Sequence, residues 1–160
     1  MSELYFRTAN FLKMLSMFMV LGSLLYFYAY VDDRLTLISP SSNDWYSELS
    51  KSYVFYVGLV IFAVFNLAMN AILSIYRSAE KYDENSLLLK SEIHKERIWL
   101  WIIYMIGGVN FLISSVITYL ALLRINKISN NMEYAFLPIF GFLVVATTLI
   151  GLLIAIFNKQ

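Results

Sequence analysis

The residues of this chain best placed to do chemistry are amides and hydroxyls embedded in apolar sequence. Ala63, Asn66, Asn70 and Ser74 follow one another at spacings of three, four and four, and so do Gly107, Asn110, Ser114 and Thr118. On a helix each set shares one face. Thr147 and Thr148 lie in a later apolar stretch, where they can satisfy backbone carbonyls or bond a neighbouring helix. Small residues let two helices approach closely, and amides and hydroxyls then bond across the gap. The same side chains, turned towards a cavity, would line a polar path or bind a small ligand. Asn66 and Asn110 both fall near the middle of their apolar runs, so an antiparallel helix pair sets them opposite each other. Asn66, Asn70, Ser74, Gly107, Asn110, Ser114, Thr118 and Thr147 are therefore the candidate site residues, for helix packing or for a polar pathway.

Other chemistry is missing from the sequence. There is no cysteine, which removes disulfides, thiolate metal sites and cysteine nucleophiles. His94 is the single histidine and reads as a solvated loop residue, so one chain cannot assemble bis-histidine haem ligation or a histidine metal cluster. No glycine-rich dinucleotide loop, phosphate loop or HExxH pattern occurs. Every Asp and Glu lies outside the apolar runs, so no carboxylate relay is available to move protons across a membrane. A formal net charge of +1 gives no footing for nucleic acid. The expectation is a chain that is not an enzyme, with no catalytic, cofactor-binding or metal-ligating residues.

The elements that position these polar groups are four apolar runs, at residues 11–30, 53–76, 98–122 and 134–157. Each is long enough to cross a hydrocarbon core of about 30 Å as a helix. Apolar residues make up 60% of the chain and charged residues 14%, too few polar groups to coat a water-soluble domain of this size. The expected fold is all-α: an integral membrane bundle of four transmembrane helices forming a single domain, residues 1–160. The first run is longer than the apolar core of a signal peptide and ends in Tyr26-Phe27-Tyr28-Ala29-Tyr30 without a small-residue cleavage site. It reads as an uncleaved signal anchor.

Basic residues set the expected orientation. Arg7, Lys13 and Lys159 in the tails join Arg77, Lys81, Lys90, Lys95 and Arg97 of the second loop, eight in all, against four (Arg34, Lys51, Arg124, Lys127) in the other loops. Both termini are therefore expected in the cytoplasm. Tyr and Trp mark the ends of the runs, as an interfacial belt requires. Lys13, two residues into the first run, is expected to lay its stem along lipid and send its ammonium to the headgroups.

The outer loop 31–52 has a dense turn signal at 39–44, preceded by a candidate extended segment at 35–38. The inner loop 77–97 mixes five basic and five acidic residues without Gly or Pro, so the second and third helices are expected to project beyond the membrane. There Ser86 would cap the third helix and a turn would fall near Asp83-Glu84-Asn85. Such mixed charge reads as a solvated helix surface, with docking of a soluble partner as the sharper alternative. The outer loop 123–133 is short, which makes the last two helices an antiparallel hairpin.

From the first run through Val31-Asp32-Asp33-Arg34-Leu35 to Ser50-Lys51 and the second run, the layout resembles small bacterial multi-pass membrane proteins of the sporulation-delaying immunity protein type. That family follows its first helix with an LP-x-x-(I/V)-x-x-H-F loop. Here Val-Asp stands in place of Leu-Pro, and the His-Phe pair and the following Gly are absent. The resemblance implies a bacterial cytoplasmic (inner) membrane and transfers no functional residue.

Taken together, these readings describe a non-catalytic accessory, assembly or sensing subunit of a larger bacterial inner-membrane complex. Its partners would be the lipid bilayer and other membrane proteins or further copies of itself. The rival is a small oligomeric channel or transporter with an Asn-lined polar pathway.

Overall fold

The computed structural model describes residues 3–32, 34–36, 48–79, 86–125 and 134–157. The long apolar runs form helices, in which the backbone amides away from the ends bond within their own segment and need no polar neighbour. The chain runs α1 (Glu3–Tyr30), β1 (Arg34–Thr36), β2 (Glu48–Ser50), α2 (Lys51–Ser78), α3 (Glu92–Ile125) and α4 (Phe136–Phe157). All four helices are long and apolar enough to span a membrane. Between α1 and α2 the two strands form a short antiparallel ribbon pairing Arg34 with Ser50, Leu35 with Leu49 and Thr36 with Glu48. Ser50 then caps α2 by accepting from the Tyr53 amide at 3.2 Å.

Helix α1 begins well before the apolar run, at Glu3, and Glu3 pairs with Arg7 one turn on at 2.7 Å. The largest departure from expectation is at the start of α3. This helix does not continue back to Ser86. Instead Ser86 Oγ accepts from the Leu88 and Leu89 amides, closing a turn, and Ser91 Oγ caps α3 by accepting from the His94 amide at 3.2 Å. A serine hydroxyl competes with the helix for nearby amides, so either serine could have served, and packing of the intervening segment chose the second. The turn read near 83–85, the turn-rich stretch 39–44 and the Asn-rich segment 126–133 lie outside the described residues.

Helix α3 is the hub. It packs most extensively against α1 on one flank and α4 on the other, while α2 leans more lightly on α1 and α3. Half of the most apolar stretch of α3 is buried, against 17% for both α2 and α4. The outer surface is correspondingly oily, with Leu67 72%, Ile75 74% and Phe142 62% exposed, the pattern expected when lipid or another apolar chain provides the solvent. The core divides into two apolar clusters. One gathers Val20, Leu24, Phe27, Phe62, Ile117 and Ala121; the other gathers Ala9, Leu73, Leu100, Ile103 and Ile106. Lys13 and Ser16 of α1, Asn66 and Asn70 of α2, and Asn110 and Ser114 of α3 fall between these two layers.

Candidate functional site

The polar layer is built from one residue type on each of two helices and one cation on a third. Asn66 of α2 and Asn110 of α3 exchange two hydrogen bonds: Asn66 Nδ2 donates to Asn110 Oδ1 at 2.9 Å, and Asn110 Nδ2 donates to Asn66 Oδ1 at 3.0 Å. The second proton of Asn66 Nδ2 goes to the Phe62 carbonyl at 2.9 Å. That bond fixes which way the Asn66 amide points, and through it the Asn110 amide. Asn110 is fully buried and Asn66 almost so.

The network extends outward from this pair. Asn70 Nδ2 donates to the Asn66 carbonyl at 2.8 Å, which leaves Asn70 Oδ1 facing α1, where Lys13 Nζ donates to it at 2.8 Å. A continuous chain of hydrogen bonds thus joins α1, α2 and α3 at one level. The Lys13 ammonium, expected at the headgroups, turns sideways in the structure onto an amide of the neighbouring helix. A polar acceptor at the same depth holds the ammonium there. The apolar runs hid this pairing, since Lys13 lies near the start of its run and Asn70 well inside its own; the helices extend past the runs, from Glu3 and to Ser78, and bring the two level.

The remaining candidates separate. Gly107 meets the backbone of Lys13, where an added Cβ would stand 3.6 Å from the Lys13 Cα, and Ser114 Oγ donates to the Met19 carbonyl at 3.1 Å. Both therefore serve the α1–α3 contact, and the expectation that this whole stripe joins α2 to α3 is corrected. Asn110 is the member of the stripe that bonds α2. Helix α3 is small on two flanks at once, with Gly107 and Ser114 towards α1 and Gly108 and Ser115 towards α4, and spacing alone does not say which neighbour takes which flank. Thr118 is half-buried on α3. Ser74 is exposed on α2, and Thr147 is exposed on α4, where its hydroxyl donates to its own Val144 carbonyl at 2.8 Å. On the α4 flank a Cβ at Gly141 would strike the Ser115 hydroxyl, and one at Gly151 would enter the Trp101 ring.

A lateral cavity of about 300 Å³ opens between α1, α3 and α4, floored by Gly107 and Gly108 and walled by Leu15, Phe111, Phe140 and Val144. Ser16 and Thr148 also line it, but their hydroxyls donate to the carbonyls of Lys13 and Val145 in their own helices. Lys13 and Tyr104 also line it, and the rest of the groove is mostly hydrocarbon.

At one end of the bundle a second constellation ties α1, α2 and α3 together. The Phe6 and Trp99 rings lie 4.8 Å apart, and the Arg77 guanidinium sits 5.2 Å from the Trp99 ring centre. Lys95 Nζ donates to the Arg77 and Ala79 carbonyls, both at 2.6 Å, and so caps the end of α2. Tyr76 Oη donates to the Leu88 carbonyl at 2.7 Å. His94, read from the sequence as solvated, is buried, and its Nε2–H donates to the Leu87 carbonyl at 3.1 Å. The segment 86–91 folds back over this end and covers the ring. Among the described residues, no group of three or more His, Cys, Asp or Glu could hold a metal ion. No family model matches the chain, and no curated protein or solved structure is detectably similar to it.

Proposed function

We propose that this chain is a non-catalytic integral membrane subunit, serving assembly, accessory or sensing duty in a larger complex of a bacterial cytoplasmic membrane. Both of its termini would lie in the cytoplasm. The observation that carries the reading is the reciprocal Asn66–Asn110 pair. The two amides bond each other, Asn66 also bonds the Phe62 carbonyl, and both are buried, so they clasp helices out of reach of a passing solute. A path lined by Asn would instead aim its amides into a water-accessible cavity, and the cavity beside α1, α3 and α4 is mostly apolar and bordered by no Asn. The oily outer surfaces of α2 and α4 suit lipid and partner helices. The eight-to-four excess of basic residues on one side supports the orientation, and the immunity-protein-like layout supports the bacterial membrane.

Purification in gentle detergent, with identification of co-purifying membrane proteins, tests the reading. Stoichiometric recovery of one or more other membrane chains is the expected result. Recovery of this chain alone, as a stable monomer, would overturn it. Solute flux into vesicles that fell in Asn66→Leu, Asn70→Leu or Asn110→Leu variants still correctly folded would establish the channel in its place.

A further inference from the structure

Lys13 is the only charged residue inside any of the four apolar runs. It lies about 10 Å of helical rise from Phe6, which stacks on Trp99 beneath Arg77. Asn70 lies about 9 Å from Tyr76 on α2, so the two partners sit at matching depth. The ammonium carries three donors, and its bond is to a neutral amide oxygen. No carboxylate pairs with it among the described residues. A cation at this depth in a bilayer ordinarily finds a counter-charge.

The surface beside it is shaped for a helix. Ala63, Leu67, Asn70 and Ser74 recur at spacings of four, three and four on the outward side of α2, and all four are exposed. Small and amide-bearing residues on a helix face are the usual material of helix–helix contacts in lipid. Asn70, at the edge of that face, reaches Lys13 of α1, while Ala63, Leu67 and Ser74 stay exposed beside it.

We propose that Lys13 and this outward face of α2 dock a transmembrane helix of a different membrane protein, which presents an Asp or Glu carboxylate to the Lys13 ammonium. The proposal rests on the subunit reading above and names the chemistry of the partner. A second copy of this chain cannot supply the group, because each of its Asp and Glu residues lies outside the apolar runs. Lipid phosphate is the wrong occupant as well. Taking the Arg77–Trp99 cluster as the headgroup level, the Lys13 ammonium, held sideways against Asn70, lies inside it.

The test uses the full chain in phosphatidylcholine vesicles, labelled through an introduced cysteine, since it has none of its own. The probe is a synthetic polyleucine transmembrane peptide with one Glu about 10 Å inside its end, compared by energy transfer with the same peptide carrying Gln. The Glu peptide is expected to associate about tenfold more tightly than the Gln peptide. That preference should vanish in Lys13→Met and persist in Lys13→Arg, which keeps a donor to Asn70 and so controls for folding. Ala63→Trp, on an exposed position remote from the core, should weaken both peptides while leaving Lys13 intact. Equal binding of the Glu and Gln peptides, or a preference that survives Lys13→Met, would overturn the proposal. Because the peptide stands in for the native partner, such a failure condemns the Lys13 contact alone. Failure of the subunit reading would show separately, in the purification.

Discussion

Removing one side of the Asn66–Asn110 pair should cost more than the two hydrogen bonds it makes. Asn110→Ala deletes both cross-helix bonds, at 2.9 and 3.0 Å, and leaves Asn66 Oδ1 without a donor in a fully buried setting. Interhelical bonds in membrane proteins contribute about 0.6–1.7 kcal/mol each, which gives about 1–3 kcal/mol for the pair. A buried acceptor left unmade adds about 1 kcal/mol more. The expected loss is about 2–4 kcal/mol for Asn110→Ala, and at least as much for Asn66→Ala, which also loses the bond to the Phe62 carbonyl and strands the fully buried Asn110 amide. The double alanine variant should cost clearly less than the sum, with a coupling energy of about 1–3 kcal/mol. Replacing both residues by Leu should come back to within about 1 kcal/mol of the parent, because no polar group is then stranded. Unfolding in mixed detergent micelles, followed by the fluorescence of Trp99 and Trp101, reads each value. Additivity of the two alanine substitutions would refute the reasoning, since it would mean that the two amides do not hold each other.

Gly151→Leu should separate α4 from α3 at the Trp101 ring and lower stability by about 1–3 kcal/mol; Gly22→Ala, with nothing near its added Cβ, should leave stability unchanged or slightly raised. Ser114→Ala should cost no more than about 0.6 kcal/mol in the same unfolding assay, since the Met19 carbonyl already belongs to the α1 ladder, whereas Ser114→Leu should wedge α1 from α3. Lys95→Met should uncap α2, and hydrogen exchange at residues 76–79 should quicken about fivefold, an opening easier by about 1 kcal/mol. Cysteines placed singly near each terminus should both react with an impermeant label from the cytoplasmic side only; reaction from opposite sides would remove the four-span topology.

Much of the architecture was legible because hydrocarbon solvation demands long uninterrupted apolar runs, and these appear at once as α1 to α4. The Asn66–Asn110 contact was legible for a related reason: two amides at matching depth on antiparallel runs have few other partners. What spacing could not supply was the neighbour of each flank. Gly107 and Ser114 share a stripe with Asn110, yet a helix as wide as its side chains turns adjacent positions of one stripe towards different partners, and these two face α1. Asn70 and Ser74 share a stripe with Asn66 but lie exposed on the other side of the α2 contact. His94 misled for a different reason. Its neighbours in sequence are charged, but burial there depends on the fold-back of residues 86–91, a tertiary event with no periodic signature.

The reciprocal amide pair also limits how this bundle can move. Sliding α2 past α3 by a single turn, about 5.4 Å, would carry each Asn off its mate and into one of the apolar clusters above or below. Piston-like travel along the long axis is thus blocked at that contact. Relative motion of these helices must instead use tilting or swivelling about the pair as a pivot, with α4, which among the described residues packs chiefly on α3, the freest arm to swing.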